Sequence, residues 1–402
     1  MKLPTYPWAF VPRFRRNGFG WRSQPAIQRV KEAVAEIKKI AKTDSVLGGE
    51  GAVIFLEKVV PAIEQVDSSS GAMGTAVRNA MVAMVPIIAQ AEVDEQHRGK
   101  WLERIWKAYQ EDGYGYLDDL GEVWGEICGT REKASEWADR LIDSVRAHWK
   151  ERRPGGYYHG VSACLSSLFK AERYEELLAL LEGAPHTFWH YHRFGFLALG
   201  RISGKEAAMA FAEKCRHIND QHLIDQDCEE YLLSIGEMDE AYQRYAMRSN
   251  RASTHINTFR AVVKKYPRKD PTVVLMDLIE STPGQEGKWF ATARQLGFRD
   301  LALHLAGKSP CDPHTLNRAA RDTVVDDPEF AMGVAMASLH WLCQGYGYEI
   351  TGMDVLSAYR LAIQGAEQTG RLDQVKQQIT ALVTGKDRDC KFVRDILTPH
   401  LR

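Results

Sequence analysis

Apolar residues recur every three or four positions along almost the whole chain, and this period predicts helix after helix. After Ser23, Pro25 suits a first helical turn, and Ile27, Val30, Val34, Ile37 and Ile40 follow on one face. Thr130 is placed to cap a helix whose inner face is Trp137, Leu141, Val145 and Trp149. Asp67 or a neighbouring serine starts a helix running to the region of Gln90. Alternating β-branched runs are absent, and no Asn-Gly or Asp-Gly lies between two strand-like runs. The expectation is an all-α fold of about twenty helices joined by short turns.

Punctuation divides this pattern. ERRPGG (151–156) places charges, a proline and a glycine pair together, which predicts an internal break. It separates residues 1–42 (an N-terminal arm and the first helix) and a helical unit over 43–150 from a repetitive stretch over 157–402. In that stretch AERYEELLALLE (171–182), GKEAAMAFAEKC (204–215) and GEMDEAYQRYAM (236–247) begin about 33 and 32 residues apart. GFRDLALHLAG (297–307) and GRLDQVKQQI (370–379) repeat the same rhythm at irregular distances. A glycine closes a tight turn, and in two of these segments an alanine five positions on, Ala241 after Gly236 and Ala302 after Gly297, lets helices approach. A period near 34 residues is that of tetratricopeptide-type helix pairs, so an irregular α-solenoid of tetratricopeptide or HEAT-like pairs is expected.

Composition narrows the class. The 402 residues, 45% hydrophobic and 26% charged, suit two or three soluble domains or one elongated array. The longest apolar stretches, such as AMVAMVPIIAQA (80–91), are short for a bilayer span, so no membrane partner is expected. Seven widely spaced cysteines without a CxxC pair argue against a disulfide framework and fit a reducing, cytoplasmic setting.

Charge is uneven. Residues 1–42 hold ten Lys/Arg against Glu32 and Glu36, a net of +8 in a chain of net −1. Within the arm, Arg13, Phe14, Arg15, Arg16, Trp21 and Arg22 have the chemistry of a nucleic-acid contact: guanidinium groups for phosphates, rings for exposed bases. The same residues suit docking, with Tyr6, Trp8 and Phe10 anchored on the first helices and the arginines facing an acidic body.

Catalytic motifs are near-misses. LALHLAGKS (301–309) ends like a phosphate loop, but Ala302 stands where a glycine is required. GVSAC (160–164) places Cys164 where a nucleophile elbow needs glycine, and no HExxH occurs. Cys215, His217, His222 and Cys228 could together supply four zinc ligands, although a helix there would splay them. His186 and His190, four apart, would share one helix face as a ligand pocket. The pairs Arg216–His222, Arg394–His400 and Arg153–His159 fit the loose Arg-to-His spacing of helical HEPN ribonucleases, a spacing that chance alone supplies about three times in so Arg- and His-rich a chain. No cofactor is implied.

FRRNGFGWRSQPA (14–26), residues 51–80 and residues 97–129 resemble a widespread group of uncharacterised bacterial all-helical proteins. Residues 155–260 more weakly resemble the helical-repeat region that follows SWIM-type zinc fingers, without the zinc motif itself. These resemblances imply a bacterial origin and a helical fold and bring no functional residues. The leading expectation is a non-enzymatic scaffold or adaptor that holds a protein partner. A nucleic-acid-associated protein using the arm, and a metal-dependent or HEPN-like hydrolase centred on 186–228, are the alternatives.

Overall fold

The helical period is realised throughout residues 6–150, 158–216, 220–384 and 390–401, the residues described by a computed structural model. They form about twenty helices and, among the described residues, no strand. The chain divides into two compact units, Met1–Tyr231 and Leu232–Arg402.

In the first unit α1 (Ser23–Ala41), α2 (Ser45–Ile63) and α3 (Ala72–Gln90) each pack on the other two. Ile27, Val30 and Ile37 of α1 face inward, as their spacing predicts. Asp44 starts α2 by accepting the Leu47 amide at 2.9 Å, and Asp94 starts α4 (Glu95–Glu111) by accepting that of His97 at 2.8 Å. The sequence Gly48-Gly49-Glu-Gly51 leaves α2 without side chains at two roughly opposite points, Gly49 and Gly51. A Cβ on Gly49 would lie 2.5 Å from the Trp101 ring, and one on Gly51 would lie 2.3 Å from that of Trp8. Two tryptophans therefore seat directly on the α2 backbone.

The arm is docked. Trp8, Phe10, Phe14 and Phe19 are all buried, with Phe14 5.2 Å from Phe10, 4.7 Å from Phe19 and 5.6 Å from Phe55 of α2, ring centre to ring centre. Its backbone amides serve α2. The last carbonyls of a helix have no intrahelical partner, and here Asn17 donates to Pro61 O at 2.9 Å and Phe19 to Ala62 O at 3.3 Å. Glu36 of α1 accepts the Ala9 and Phe10 amides at 2.8 and 3.2 Å, and Arg29 donates to Gly18 O at 2.8 Å.

The chain continues through α5 (Trp124–Cys128), α6 (Arg131–Lys150), α7 (Gly160–Lys170), α8 (Tyr174–Glu182), α9 (Trp189–Ile202), α10 (Lys205–Lys214) and α11 (Gln221–Ser234). Thr130 accepts the Lys133 amide at 3.2 Å and so starts α6, whose Trp137, Leu141, Val145 and Trp149 are buried. The expected break at 151–156 lies outside the described residues. The helices on either side of it, α6 and α7, pack against each other in the same unit, because the inward face of α6 meets an α7 buried from Gly160 to Leu168. From α7 onward, contacts run between neighbours and next neighbours: α7 with α8 and α9, α8 with α9, α9 with α10.

The second unit comprises α12 (Met238–Ala241), a π-helical turn at Tyr242–Ala246, α13 (Met247–Ser249), α14 (His255–Lys265), α15 (Pro271–Glu280) and α16 (Phe290–Gln295). There follow α17 (Arg299–Lys308), α18 (Pro313–Thr323), α19 (Pro328–Cys343), α20 (Gly352–Gln368), α21 (Leu372–Thr384) and α22 (Lys391–Leu397). Gly236 and Gly297 turn with φ of +86° and +87°, and Ala241 and Ala302, five positions on, are fully buried. From α17 to α22 contacts run mostly between neighbours and next neighbours, and α19 also meets α22.

α3 modifies one expectation. Taken whole, its nineteen residues are long and apolar enough to cross a membrane, because the helix extends well before residue 80. Here Met73, Val77, Met84 and Ile88 pack inside the first unit.

Docking makes the arm part of the core. Phe14→Ala should lower the unfolding free energy of the first unit by about 3–5 kcal/mol in urea titrations, whereas exposed Arg15→Ala should change it by less than about 0.5 kcal/mol. Equal effects would show that the arm is not packed as described.

Candidate functional site

The structure sorts the residues singled out by sequence. Phe14 is 1% exposed, so it cannot stack on a base while the arm is folded; the apolar cluster with Phe55 claims it. Arg13 pairs with Glu32 at 2.6 Å and Arg16 with Glu64 at 3.0 Å. Arg15, Trp21 and Arg22 remain exposed.

The histidine pair is not on one helix face. α9 begins at Trp189, so His186 precedes it, and the Phe188 ring contacts both histidines at 5.1 and 5.5 Å. Burial lowers the pKa of His190, which favours its neutral form.

The four proposed zinc ligands do not assemble among the described residues. Cys215 and Cys228 are buried while His222 is exposed, and His217 lies outside the described residues. Cys228 and His222 sit six residues apart on α11 and so point to different faces. No group of three or more such side chains among the described residues could hold a metal. Burial pushes the Cys128, Cys164 and Cys311 thiols up to about 12, which suppresses the thiolate. Of the HEPN-type arginines, Arg216 is tied to Glu213 and Asp225, each at 2.7 Å, and Arg394 donates to Val383 O at 2.5 Å. Arg153 lies outside the described residues.

A groove over α5, α7 and α9 does bring chemistry together. It encloses about 770 Å³, with Val123, Phe169, Phe194 and Leu197 as apolar lining, and its charged lining is Glu122, Glu126, Arg131, Lys170, Glu172, Arg193 and Arg201. A smaller apolar notch of about 260 Å³, formed by Met81, Val82, Val85, Pro86 and Leu120, adjoins it through the shared Val123 and Glu126.

Local sequence explains the shape. A Cβ on Gly125 would lie 2.3 Å from Ser166 O, so only glycine lets α5 cross α7 this closely. The Ser166 hydroxyl accepts the Gly125 amide at 3.0 Å and donates to Glu122 O at 2.9 Å. That pair of hydrogen bonds ties down the turn that carries Glu122 toward α9.

Arg193 is the electrostatic centre. It donates to Glu122 at 2.7 Å and to Asp227 of α11 at 3.4 Å, and Asp227 also accepts the Trp189 indole N–H at 2.6 Å. Its Nε is buried without a hydrogen-bond partner, so one donor of this fork is unused. Burial raises the carboxyls of Glu122 and Asp227 above their usual range, against the opposing pull of Arg193. Burial also disfavours the Arg193 cation, but Asp227 and Glu122 outweigh it and keep the guanidinium charged.

At the rim Arg131 pairs with Glu172 at 2.7 Å, whereas Lys170 and Arg201 make no ion pair among the described residues. The hydroxyl of Ser166 is committed to the backbone, and no nucleophile and base are paired in the lining. The arrangement suits non-covalent binding of something apolar that also carries negative charge. Periodicity offered no signal for it, since Glu122 and Arg193 are 71 residues apart. Comparison with protein-family models, with curated proteins and with solved structures finds no match.

A carboxyl whose pKa is raised by folding favours the folded state below its unfolded pKa, and this contribution disappears as pH rises through the folded value. Removing Arg193 removes the counter-pull. Arg193→Met should therefore lose denaturant midpoint more steeply than the parent as pH rises above the unfolded carboxyl range of about 4. Parallel pH profiles would mean that the guanidinium does not hold these carboxylates.

Proposed function

We propose that the protein is a non-enzymatic helical scaffold or adaptor, and that the groove over α5, α7 and α9 holds an extended segment of a protein partner. The observation that carries this reading is the pairing of an apolar lining with two unengaged rim cations, Lys170 and Arg201. Phe169, Phe194, Leu197 and the adjoining notch at Val82, Val85 and Pro86 accept apolar side chains. Lys170 and Arg201 select carboxylates beside them. The partner segment is thus acidic and apolar in alternation.

Neighbour and next-neighbour packing from α7 to α10 and from α17 to α22 supports reading these stretches as irregular α-solenoid repeats of the tetratricopeptide or HEAT kind. Such stacking builds binding surface without a central catalytic site. We place the protein in a reducing, cytoplasmic, bacterial setting, with no cofactor. Support for the compartment comes from seven buried cysteines that form no disulfide.

Panning a random peptide library against the full-length protein should enrich sequences with Asp or Glu next to large apolar residues. Lys170→Glu with Arg201→Glu should weaken the selected peptides about 10–100-fold in calorimetry, and lower salt should strengthen the parent interaction. Enrichment of neutral peptides, or binding indifferent to the charge reversal, would overturn this assignment.

A further inference from the structure

The docked arm changes what α1 presents to solvent. The helix carries two carboxylates, and the arm occupies both: Glu32 pairs with Arg13, and Glu36 takes the Ala9 and Phe10 amides. Its lysines are left unopposed. Lys31, Lys38, Lys39 and Lys42 are exposed and make no ion pair among the described residues, as do Arg15 and Arg22 before the helix. Lys31, Lys38 and Lys42, spaced by seven and four residues, fall on one face. At about 1.5 Å per residue they cover about 16 Å of the axis.

Trp21 lies before the N-terminus of α1, next to Arg22 and ten residues ahead of Lys31. The protein has ten tryptophans; nine are buried, and Trp21 is 71% exposed. It precedes α1 by two residues, and its carbonyl is fixed by the Asp67 amide at 2.9 Å, so an indole is held in water on an anchored backbone. No packing need in the first unit explains that.

We infer that Trp21, Arg22 and the lysine stripe of α1 form a track for single-stranded nucleic acid. Lys31, Lys38 and Lys42 follow a line along α1, which suits one phosphate backbone. An exposed ring next to Arg22 stacks on an unpaired base, which a duplex does not offer. A lipid surface fits less well. The apolar face of α1, with Ala26, Ile27, Val30 and Ala33, is already buried in the core, so nothing but Trp21 remains to insert. The inference is independent of the groove over α5, α7 and α9.

Fluorescence anisotropy with a labelled oligothymidylate of about 20 nucleotides tests it on the full chain. Binding should weaken with salt at a log–log slope of about −3, from about −0.7 per phosphate neutralised by Arg22 and the three lysines. Lys31→Ala, Lys38→Ala and Lys42→Ala together should reduce that slope by about 2 units. Trp21→Ala should cost about tenfold in affinity, and Trp21→Phe should restore most of it. Arg260→Ala with Lys264→Ala, exposed cations of the second unit, should have no effect. All these residues are on the surface, and unchanged circular dichroism would confirm that the variants fold. Four outcomes overturn the inference: no binding at about 50 mM salt, equal affinity for duplex, indifference to Trp21→Ala, or preference for phosphatidylserine vesicles over the oligonucleotide.

Discussion

The first unit depends on the closure of α2 by the N-terminal arm. A helix end leaves its last carbonyls without intrahelical partners, and α2 also has an apolar surface to cover, with Phe55, Ala62 and Ile63 buried. The arm solves both problems together. Its amides at Asn17 and Phe19 reach Pro61 O and Ala62 O, while Trp8, Phe10 and Phe14 fill the adjoining surface. Gly51 is the complement on the α2 side, since any side chain there would occupy the space of Trp8.

That closure also sets the electrostatics. Two of the arm's four arginines and both carboxylates of α1 are consumed within the clasp. A positive N-terminal segment therefore does not become a uniformly positive surface. It resolves into a neutralised seam, at Arg13, Arg16, Glu32 and Glu64, and an unopposed outer stripe that runs along α1. At the other end of the unit, Arg193 performs a similar consolidation. It draws Glu122 and Asp227 together and leaves Lys170 and Arg201, with Glu126 opposite in sign, as the lining charges outside an ion pair among the described residues. In both places the proposed binding rests on cations that the fold does not use.

Much of the architecture was legible. The inward faces of α1 and α6, the Thr130 cap and the glycine turns at 236 and 297 all appear where spacing predicts them. The sites were far less legible. His186 and His190 look paired only if one helix covers both, and the helix starts between them. Cys215, His222 and Cys228 are near in sequence, but burial takes the cysteines inward and leaves the histidine in solvent. Phe14 and Trp21 look equivalent as arm aromatics, yet one is core and the other surface.

The sequence by itself determined the helices and their turns, because a 3.6-residue period, a capping side chain and a glycine act within a few residues of backbone. It also determined that positive charge would gather near the N-terminus. Only the tertiary structure decided which of those charges remained available. That choice rests on partners far away in sequence, such as Glu64 for Arg16 and Glu122 for Arg193, and on which aromatic rings found a cavity to fill. Pairing and burial of this kind are properties of packed surfaces, and no local pattern along the chain encodes them.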